Sequence, residues 1–318
     1  MDKVRLGIIG CGGIARAHLD GYRLLRQRGC DCWEITALCD LVDSRTADFA
    51  AQIEGLQGTV PRRYETVAEL LAAGGVDGVD VCTLHADHHV TCVQCLEAGV
   101  HVLVEKPLGV TVRAARRIQE AAARTGRILS VAENSRRGLG QRAITWLFHQ
   151  DRRLGAPRMF AIERLHGPSL PLAAPPEPEP VDALAWRSDR LLSGGGWTYD
   201  FGGGFIDSQA RVFTADGKAI TSRDLELDYL LSLSCEERER LFPHGVQRSL
   251  AIECHEFVDC IRQGRRPEVD AEAGLAGLAV SAALYESAVC GQAVRVDDVL
   301  CSRIDAYQRP IDEHWGLV

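Results

Sequence analysis

The sequence predicts an α/β protein whose first half is a doubly wound, parallel sheet of the Rossmann type. Short apolar strands alternate with helical segments from Val4 to Ala132. A Gly-rich turn at residues 10–15 (GCGGIA) joins the first strand to the first helix, and a charged corner at residues 105–107 (EKP) ends the fifth strand. Repeated β-α units with apolar strands are typical of a parallel sheet that helices cover on both faces.

The length and charge of the chain limit its class. At 318 residues it exceeds what one hydrophobic core usually serves, so we expect two domains, residues 1–133 and 134–318. The net charge of −8 argues against binding to nucleic acid and to anionic membranes. The apolar runs are shorter than a membrane span, and the first residues do not resemble a signal peptide. We therefore expect a cytoplasmic protein without a membrane segment.

The first strand, Val4–Ile9, leads into the pattern G-x-G-x-x-A. Gly10 permits a tight turn, Gly12 lets the backbone approach a pyrophosphate, and the start of the next helix faces the phosphate charge. Asp40 ends the second strand, Trp33–Cys39, where a carboxylate suits a ribose 2′-hydroxyl and repels a 2′-phosphate. The pattern predicts a dinucleotide site that favours NAD over NADP. The alternative is a Gly-rich turn that binds no cofactor.

The alternation continues through the rest of the first half. Thr66 and Glu69 have the spacing of a capping box, which predicts that a helix begins there. The further predicted helices are 44–54, 66–73, 88–98 and 111–125, and the further predicted strands are 59–60, 79–84, 101–105 and 128–132.

The fifth strand ends in Glu105 and Lys106, at a carboxyl edge where open α/β folds hold their ligands. We expect both side chains to emerge there. A lysine at such a place can bind a substrate or transfer a proton. The alternative is a surface Glu–Lys pair that closes the strand.

Three histidines, His85, His88 and His89, cluster after the fourth strand. No carboxylate or thiol completes a known ligand spacing around them, so we expect no metal site. His88 is expected to cap its helix or to lie beside a ribose.

The chain has twelve cysteines, and its close pairs are at residues 30 and 32 and at residues 92 and 95. A second pair at zinc-ribbon spacing is missing from the sequence. We expect free thiols, most of them buried, in a reducing compartment.

The second half alternates less clearly. Residues 168–180 hold six prolines, which predicts an extended surface loop. Residues 194–207 are rich in glycine, which costs roughly 1 kcal/mol per residue in a helix, so we expect a ligand to approach there. Asp200 and Asp207 would share one helix face; the alternative is a flexible loop that binds nothing. Helices are predicted at 141–150, 225–241, 251–263 and 271–291, and strands at 158–166 and 294–296.

Together these segments resemble the glucose–fructose oxidoreductase / inositol dehydrogenase (Gfo/Idh/MocA) family. The resemblance rests on the turn 10–15, Asp40, His88, residues 105–107 and the G-G-G-x-x-x-D segment that ends at Asp200. It implies an N-terminal Rossmann domain and a C-terminal α+β domain with an open, mostly antiparallel sheet. It also implies NAD(P)-dependent hydride transfer at a hydroxyl or keto carbon of a sugar, a cyclitol or a related polyhydroxylated small molecule.

The resemblance assigns roles to single residues. Lys106 would hydrogen-bond the reacting hydroxyl and the nicotinamide ribose, and Asp200 would orient the substrate, so these two are the candidate catalytic residues. The expected cofactor contacts are Gly10, Cys11, Gly12, Gly13, Ile14, Asp40, Thr83, Leu84, His85, His88, Glu105 and Lys106. The expected substrate contacts are Asn134, His166, Trp186, Arg187, Tyr199 and Asp207.

Gly204 stands where the family usually has its acid–base histidine, four residues after the aspartate. Glycine cannot move a proton, so Lys106, His166, Tyr199 or Asp207 would have to replace it. Two alternatives stay open: an NAD-retaining enzyme of net non-redox chemistry, such as elimination, epimerisation or glycoside cleavage, and a non-catalytic NAD-binding protein.

Two further departures concern the cofactor loop and the assembly. Leu84 stands where the family often has proline, and the segment after Thr214 is shorter than the family's series of strands. The resemblance is compatible with a homo-oligomer, either a dimer or a tetramer, but the short segment leaves open whether the sheet that commonly builds the family dimer forms.

Overall fold

The structure, a computed structural model, describes residues 3–151, 186, 189–195, 212–213 and 219–318. Its first half is centred on a six-stranded sheet in which every neighbouring pair of strands is parallel. This confirms the predicted doubly wound sheet. The strands are β1 (Val4–Ile9), β2 (Trp33–Cys39), β3 (Arg62–Tyr64), β4 (Gly78–Val81), β5 (His101–Glu105) and β6 (Leu129–Ala132).

Five α-helices connect these strands. Thr66 accepts a hydrogen bond from Glu69 N, and the Glu69 carboxylate accepts one from Thr66 N, so the predicted capping box is confirmed. Thr111 caps the fifth helix by accepting from Ala114 N. The helices are α1 (Gly13–Gln27), α2 (Asp43–Gln57), α3 (Val67–Ala73), α4 (His88–Glu97) and α5 (Val112–Thr125).

The strand order is β3-β2-β1-β4-β5-β6, so the sheet is built outward in opposite directions from β1 and β4. Ile9 of β1 pairs with Val81 of β4 at the carboxyl edge of the sheet. Ligands of open parallel sheets bind in the crevice outside such a reversal. The residues that follow β1 and β4 therefore flank the expected ligand crevice.

The described part of the second half is mainly helical. Its two short strands, β7 (Val212–Phe213) and β8 (Ala219–Ile220), pair antiparallel, as the resemblance implies. The helices are α6 (Leu139–Trp146), which continues as a π-helix (Leu147–Asp151), α7 (Arg190–Ser193), α8 (Ser222–Ser232), α9 (Cys235–Leu241), α10 (Ser249–Gln263), α11 (Ala271–Cys290), α12 (Val296–Leu300) and α13 (Arg309–His314).

Helix α10 packs closely on α1 of the Rossmann sheet. A Cβ on Gly21 of α1 would lie 3.2 Å from Ala251 Cα, so glycine permits this approach. Phe257 of α10 is fully buried and belongs to the same hydrophobic cluster as Ile8 of β1. The helices of the second half thus complete the core of the first, and the domain boundary after residue 133 stays a prediction.

Helix α11 packs against α5 and β6. Within the described part of the chain, this helix is the one that is long and apolar enough to cross a membrane by length and composition, contrary to our expectation from the sequence. Its buried residues Leu275, Leu278 and Ala282 belong to the cluster that also contains Val104 of β5. These contacts are those of a core helix in a globular protein.

Three predicted elements of the described residues are corrected. The strand predicted at 294–296 is wrong, because α12 begins at Val296 and the acidic residues in its first turn favour a helix start. The strand predicted at 59–60 forms at Arg62–Tyr64. The helix predicted over 225–241 is two helices, since Leu233 is extended and Ser234 caps the second. The predicted strand 158–166 and loop 168–180 lie outside the described residues.

Candidate active site

The turn after β1 has the shape that its glycines predict. Gly10 has a φ of 88°, and a Cβ there would lie 2.7 Å from the Cys82 carbonyl oxygen, so the position requires glycine. A Cβ on Gly12 or Gly13 would meet no described atom within 4 Å, and α1 begins at Gly13, with Gly12 as an N-cap residue that offers no side-chain cap. Uncapped amides that face open space fit the pyrophosphate of a dinucleotide.

Asp40 lies beside this turn at the end of β2. Its Oδ2 accepts a hydrogen bond from Cys11 N at 2.7 Å, and its Oδ1 accepts one from Val42 N at 2.8 Å. Two backbone amides therefore fix the carboxylate, a placement that fits a ribose hydroxyl. The Cys11 side chain is buried, and burial raises the pKa of its thiol to about 12, so Cys11 contributes its backbone rather than its sulfur. Ile14 is partly exposed at the start of α1.

Thr83 follows β4 on the other side of the crevice. Its Oγ1 is buried and has no hydrogen-bond partner among the described residues. A buried hydroxyl without a partner costs free energy, and a ligand bound at this edge of the sheet would supply one. Leu84, the next residue, precedes the short 3₁₀ helix His85–Asp87.

His85 and His88 are buried in this loop, and both hydrogen-bond to backbone oxygens. His85 Nδ1 donates to Ser193 O at 2.9 Å, and its ring meets that of Trp186 edge-on with centroids 4.7 Å apart. His88 Nδ1 donates to Pro107 O at 2.9 Å, and burial lowers the pKa of its ring to about 3. Of the two roles predicted for His88, the capping of α4 is wrong, since no side chain caps that helix, and a place beside a ribose stays a prediction. The neutral ring instead donates a hydrogen bond to the backbone of the corner at residues 105–107.

Glu105 and Lys106 point in different directions, which corrects the expectation that both emerge at the edge. Glu105 is buried and accepts from His18 Nε2 at 3.0 Å and from Lys106 N at 3.0 Å. Lys106 is half-buried and lines a cavity of about 410 Å³ between the ends of β5 and β6 and helix α11. Glu133, Arg136 and Ser281 line the same cavity. Lys106 is thus the member of the pair that faces a possible substrate space.

Of the remaining predicted substrate residues, the structure describes Asn134 and Trp186. Asn134 begins a 3₁₀ helix directly after β6 and is not among the described residues that line the cavity. Trp186 lies on His85, as described above. The other candidates lie outside the described residues, so their roles stay predictions: His166, Arg187, Tyr199, Asp200 and Asp207, together with Gly204.

Residues 4–133 match the model of an oxidoreductase family with an NAD-binding Rossmann fold, Gfo/Idh/MocA. This match covers 130 of the 318 residues, so the first part of the chain is similar to the Gfo/Idh/MocA family. The match contains the turn 10–15, Asp40 and Lys106, and it ends at Glu133, the last residue of the predicted first domain. Over residues 4–133 the predicted resemblance is confirmed, and the predicted cofactor class, NAD, is confirmed with it.

Two curated relatives align with less than half of this chain. D-apiose dehydrogenase of Paraburkholderia graminis is 36% identical over 136 residues, which are 43% of this chain and 34% of that protein. A glycosyl hydrolase family 109 protein of Shewanella pealeana is 32% identical over 139 residues, 42% of this chain and 29% of that protein. The alignments thus span 34% and 29% of these relatives' lengths.

A solved structure extends the similarity of fold to both halves. The WlbA dehydrogenase of Bordetella pertussis, in complex with NADH and UDP-GlcNAcA, aligns over 92% of this chain and 97% of its own. The TM-score is 0.61 at 17% sequence identity. The fold of this chain is therefore similar to that of the WlbA dehydrogenase over 92% of its length.

Sequence reasoning missed a buried polar network behind the EKP corner. His18 of α1 contacts Asp80 of β4 through Nδ1 at 2.9 Å and Glu105 through Nε2. Glu253 of α10 lies 4.0 Å from His18 Nε2 and accepts from Arg137 Nη1 at 2.8 Å. Arg137 also donates from Nε to Glu256 at 2.6 Å. The network joins the first helix, the sheet and α10 beneath Lys106.

Burial and neighbouring charges shift the pKa values of His18 and Glu253 in this network. Burial disfavours charged His18, but Asp80 and Glu105 outweigh it and raise its pKa well above the ordinary value. Burial raises the pKa of Glu253 to about 8, although Arg137 and His18 oppose the shift. Within the described residues, His18, Asp80 and Cys254 place possible metal-ligand atoms within 4.8 Å of one another. The hydrogen bonds of His18 already account for its two ring nitrogens.

Proposed function

We propose that this protein is an NAD-dependent dehydrogenase or reductase that acts on a hydroxyl or keto carbon of a sugar, cyclitol or related polyhydroxylated molecule. The observation that carries the proposal is the position of Lys106. It leaves a strand next to the crevice that fits a dinucleotide, and it lines a cavity of about 410 Å³. A cavity of this size suits a small molecule, because ligand sites usually occupy a few hundred Å³.

Different residues of the chain would bind the dinucleotide and the substrate. The amides at Gly12 and Gly13, the Asp40 carboxylate and Thr83 Oγ1 would hold the dinucleotide, whose nicotinamide supplies or accepts the hydride. Lys106 Nζ would donate a hydrogen bond to the reacting oxygen and stabilise the charge that develops there. The name of the D-apiose dehydrogenase relative supports a sugar-like substrate.

The test is an absorbance assay of NAD and NADP reduction against a panel of sugars, cyclitols and their acids. Lys106→Ala should lower kcat by roughly 100- to 1,000-fold, the usual cost of removing one hydrogen-bond donor from the reacting oxygen. Lys3→Ala is the matched control, because Lys3 pairs with Asp31 on the exposed surface. Full turnover in Lys106→Ala, or no turnover of any substrate by wild type that binds NAD, would contradict the proposal.

A second candidate is net non-redox chemistry with retained NAD, favoured by the glycosyl hydrolase family 109 relative and by Gly204 at the usual histidine position. It predicts steady product formation without a net change in nicotinamide absorbance. Product formed in equal amounts with NADH would exclude it.

A further inference from the structure

The structure places a carboxylate beside Lys106 in the cavity. Glu105 pairs with Ala132 at the ends of β5 and β6, so Lys106 and Glu133 are the next residues on two adjacent strands. Adjacent strands run about 4.8 Å apart. Both residues line the cavity of about 410 Å³, and Glu133 is the single carboxylate among its described lining residues.

The other acids of this region are engaged elsewhere. Glu105 accepts from His18 Nε2 and from Lys106 N. Glu253 and Glu256 accept from the buried guanidinium of Arg137. The geometry therefore leaves Glu133 as the acid of this described region that can reach a molecule in the cavity.

The surroundings of Glu133 suit proton transfer. Burial raises the pKa of its carboxyl above the ordinary value. Lys106 and Arg137 lower it, Glu105 raises it, and a hydrogen bond with Ser135 lowers it. A carboxyl whose pKa is raised toward the working pH exchanges protons more effectively than an exposed one.

We propose that Glu133 is the general acid–base of this site and takes the role that glycine at position 204 cannot perform. In oxidation, the substrate O–H bond breaks and its proton forms an O–H bond with the Glu133 carboxylate. The C–H bond breaks at the same carbon, its hydride leaves for oxidised NAD, and a C=O bond forms. In reduction, the Glu133 carboxylic acid returns the proton to the oxygen, to which Lys106 donates a hydrogen bond.

This inference rests on the proposed function and is tested with a substrate that wild type oxidises. Glu133→Gln should lower kcat by roughly 100-fold or more while NAD binding, measured by calorimetry, is unchanged. Wild-type kcat/KM for oxidation should fall as the pH drops through the raised pKa of Glu133, because the protonated acid cannot accept a proton. Glu133→Gln should lose this acid limb, and Glu133→Asp should keep it. Glu120→Gln on the exposed face of α5 is the control for a neutralised carboxylate and should behave as wild type.

The outcomes distinguish a wrong role for Glu133 from a wrong proposed function. If wild type turns over and Glu133→Gln keeps both its kcat and the acid limb, the inference is wrong and the proposed function stands. If wild type binds NAD and oxidises no substrate of the panel, the proposed function fails, and the role of Glu133 fails with it. Thermal unfolding of each variant separates lost chemistry from lost folding, and Glu133→Asp supplies the folded carboxylate variant for comparison.

Discussion

His18 Nε2 lies 3.0 Å from Glu105 Oε1, and both side chains are buried. His18 belongs to the helix that begins at the glycine turn, and Glu105 directly precedes Lys106 and accepts a hydrogen bond from its backbone. One side-chain contact thus connects the segment that would hold the pyrophosphate to the segment that presents the lysine. The order of Lys106 therefore depends on residues far from it in the chain.

The same network should make stability depend on pH through Glu253. Its folded pKa of about 8 lies above the ordinary value of 4.5, so the folded state binds more protons between these two values. The stability that Glu253 contributes is therefore fully present below pH 4.5 and is lost as pH rises toward 8. Glu253→Gln has no carboxyl to ionise at this position. From pH 4.5 to 8 its free energy of unfolding should therefore fall by about a few kcal/mol less than that of wild type.

Urea unfolding of wild type and Glu253→Gln at several pH values measures this difference. His18, whose pKa is also raised, contributes stability that is present below its ordinary value and lost as pH rises through the folded value. His18 is present in both proteins, so its contribution to stability largely cancels when wild type and Glu253→Gln are compared. Parallel pH profiles for the two proteins would show that Glu253 is ionised in the folded state throughout the range.

Local signals predicted much of the fold, but not this network. The glycines of the turn, the Thr66–Glu69 box and the apolar strands act over a few residues, and each led to the correct element. His18 meets partners 62 and 87 positions away, and Arg137 meets Glu253 116 positions away. A sequence contains no local sign of such pairs, which is why Glu105 was expected to face the ligand.

The two glycines of the turn should respond differently to alanine. Gly10→Ala places a methyl group 2.7 Å from a backbone carbonyl at a positive φ, so it should lower the unfolding free energy by about 1–3 kcal/mol. Gly12→Ala meets no described atom within 4 Å and has an extended backbone, so stability should stay close to wild type. Its methyl group enters the space proposed for the pyrophosphate.

Thermal unfolding and NAD calorimetry on the two variants test this contrast. Gly12→Ala should weaken NAD binding by about tenfold or more while it melts near the wild-type temperature, because roughly 1.4 kcal/mol corresponds to a tenfold change. A stable Gly12→Ala protein with wild-type NAD affinity would remove this turn as the phosphate site.

Asp40 should set the preference between the two nicotinamide cofactors. Asp40→Asn keeps the shape of the side chain and removes its charge. We expect NAD affinity to fall by about 10- to 100-fold, since a hydrogen bond to a charged group contributes about 1.5–3 kcal/mol. NADP should lose less affinity or gain some, because the repulsion of its 2′-phosphate is removed. Asp43→Asn is the matched control, as its carboxylate is exposed nearby and pairs with Arg63.

Cys32 should be the most acidic thiol among the described cysteines whose pKa departs from its ordinary value. The Cys30 and Cys32 sulfurs are 3.6 Å apart in the turn between α1 and β2. The Cys30 thiol donates to Cys32, and together with Arg262 this outweighs burial and lowers the pKa of Cys32 to about 6. Since the thiolate is the nucleophile, alkylation of Cys32 by iodoacetamide should rise between pH 5 and 7 with a midpoint near that value.

Mass spectrometry of peptides alkylated at each pH measures this midpoint, with exposed Cys290 in the same sample as an internal comparison. Cys30→Ala removes the hydrogen-bond donor, so the Cys32 midpoint should move to higher pH. Cys92→Ala is the matched control, because that buried thiol lies in α4, away from the turn. If the midpoint stays in place in Cys30→Ala, the acidity comes from Arg262 alone. If Cys32 is alkylated no earlier than Cys290, the two sulfurs do not share a hydrogen bond in solution.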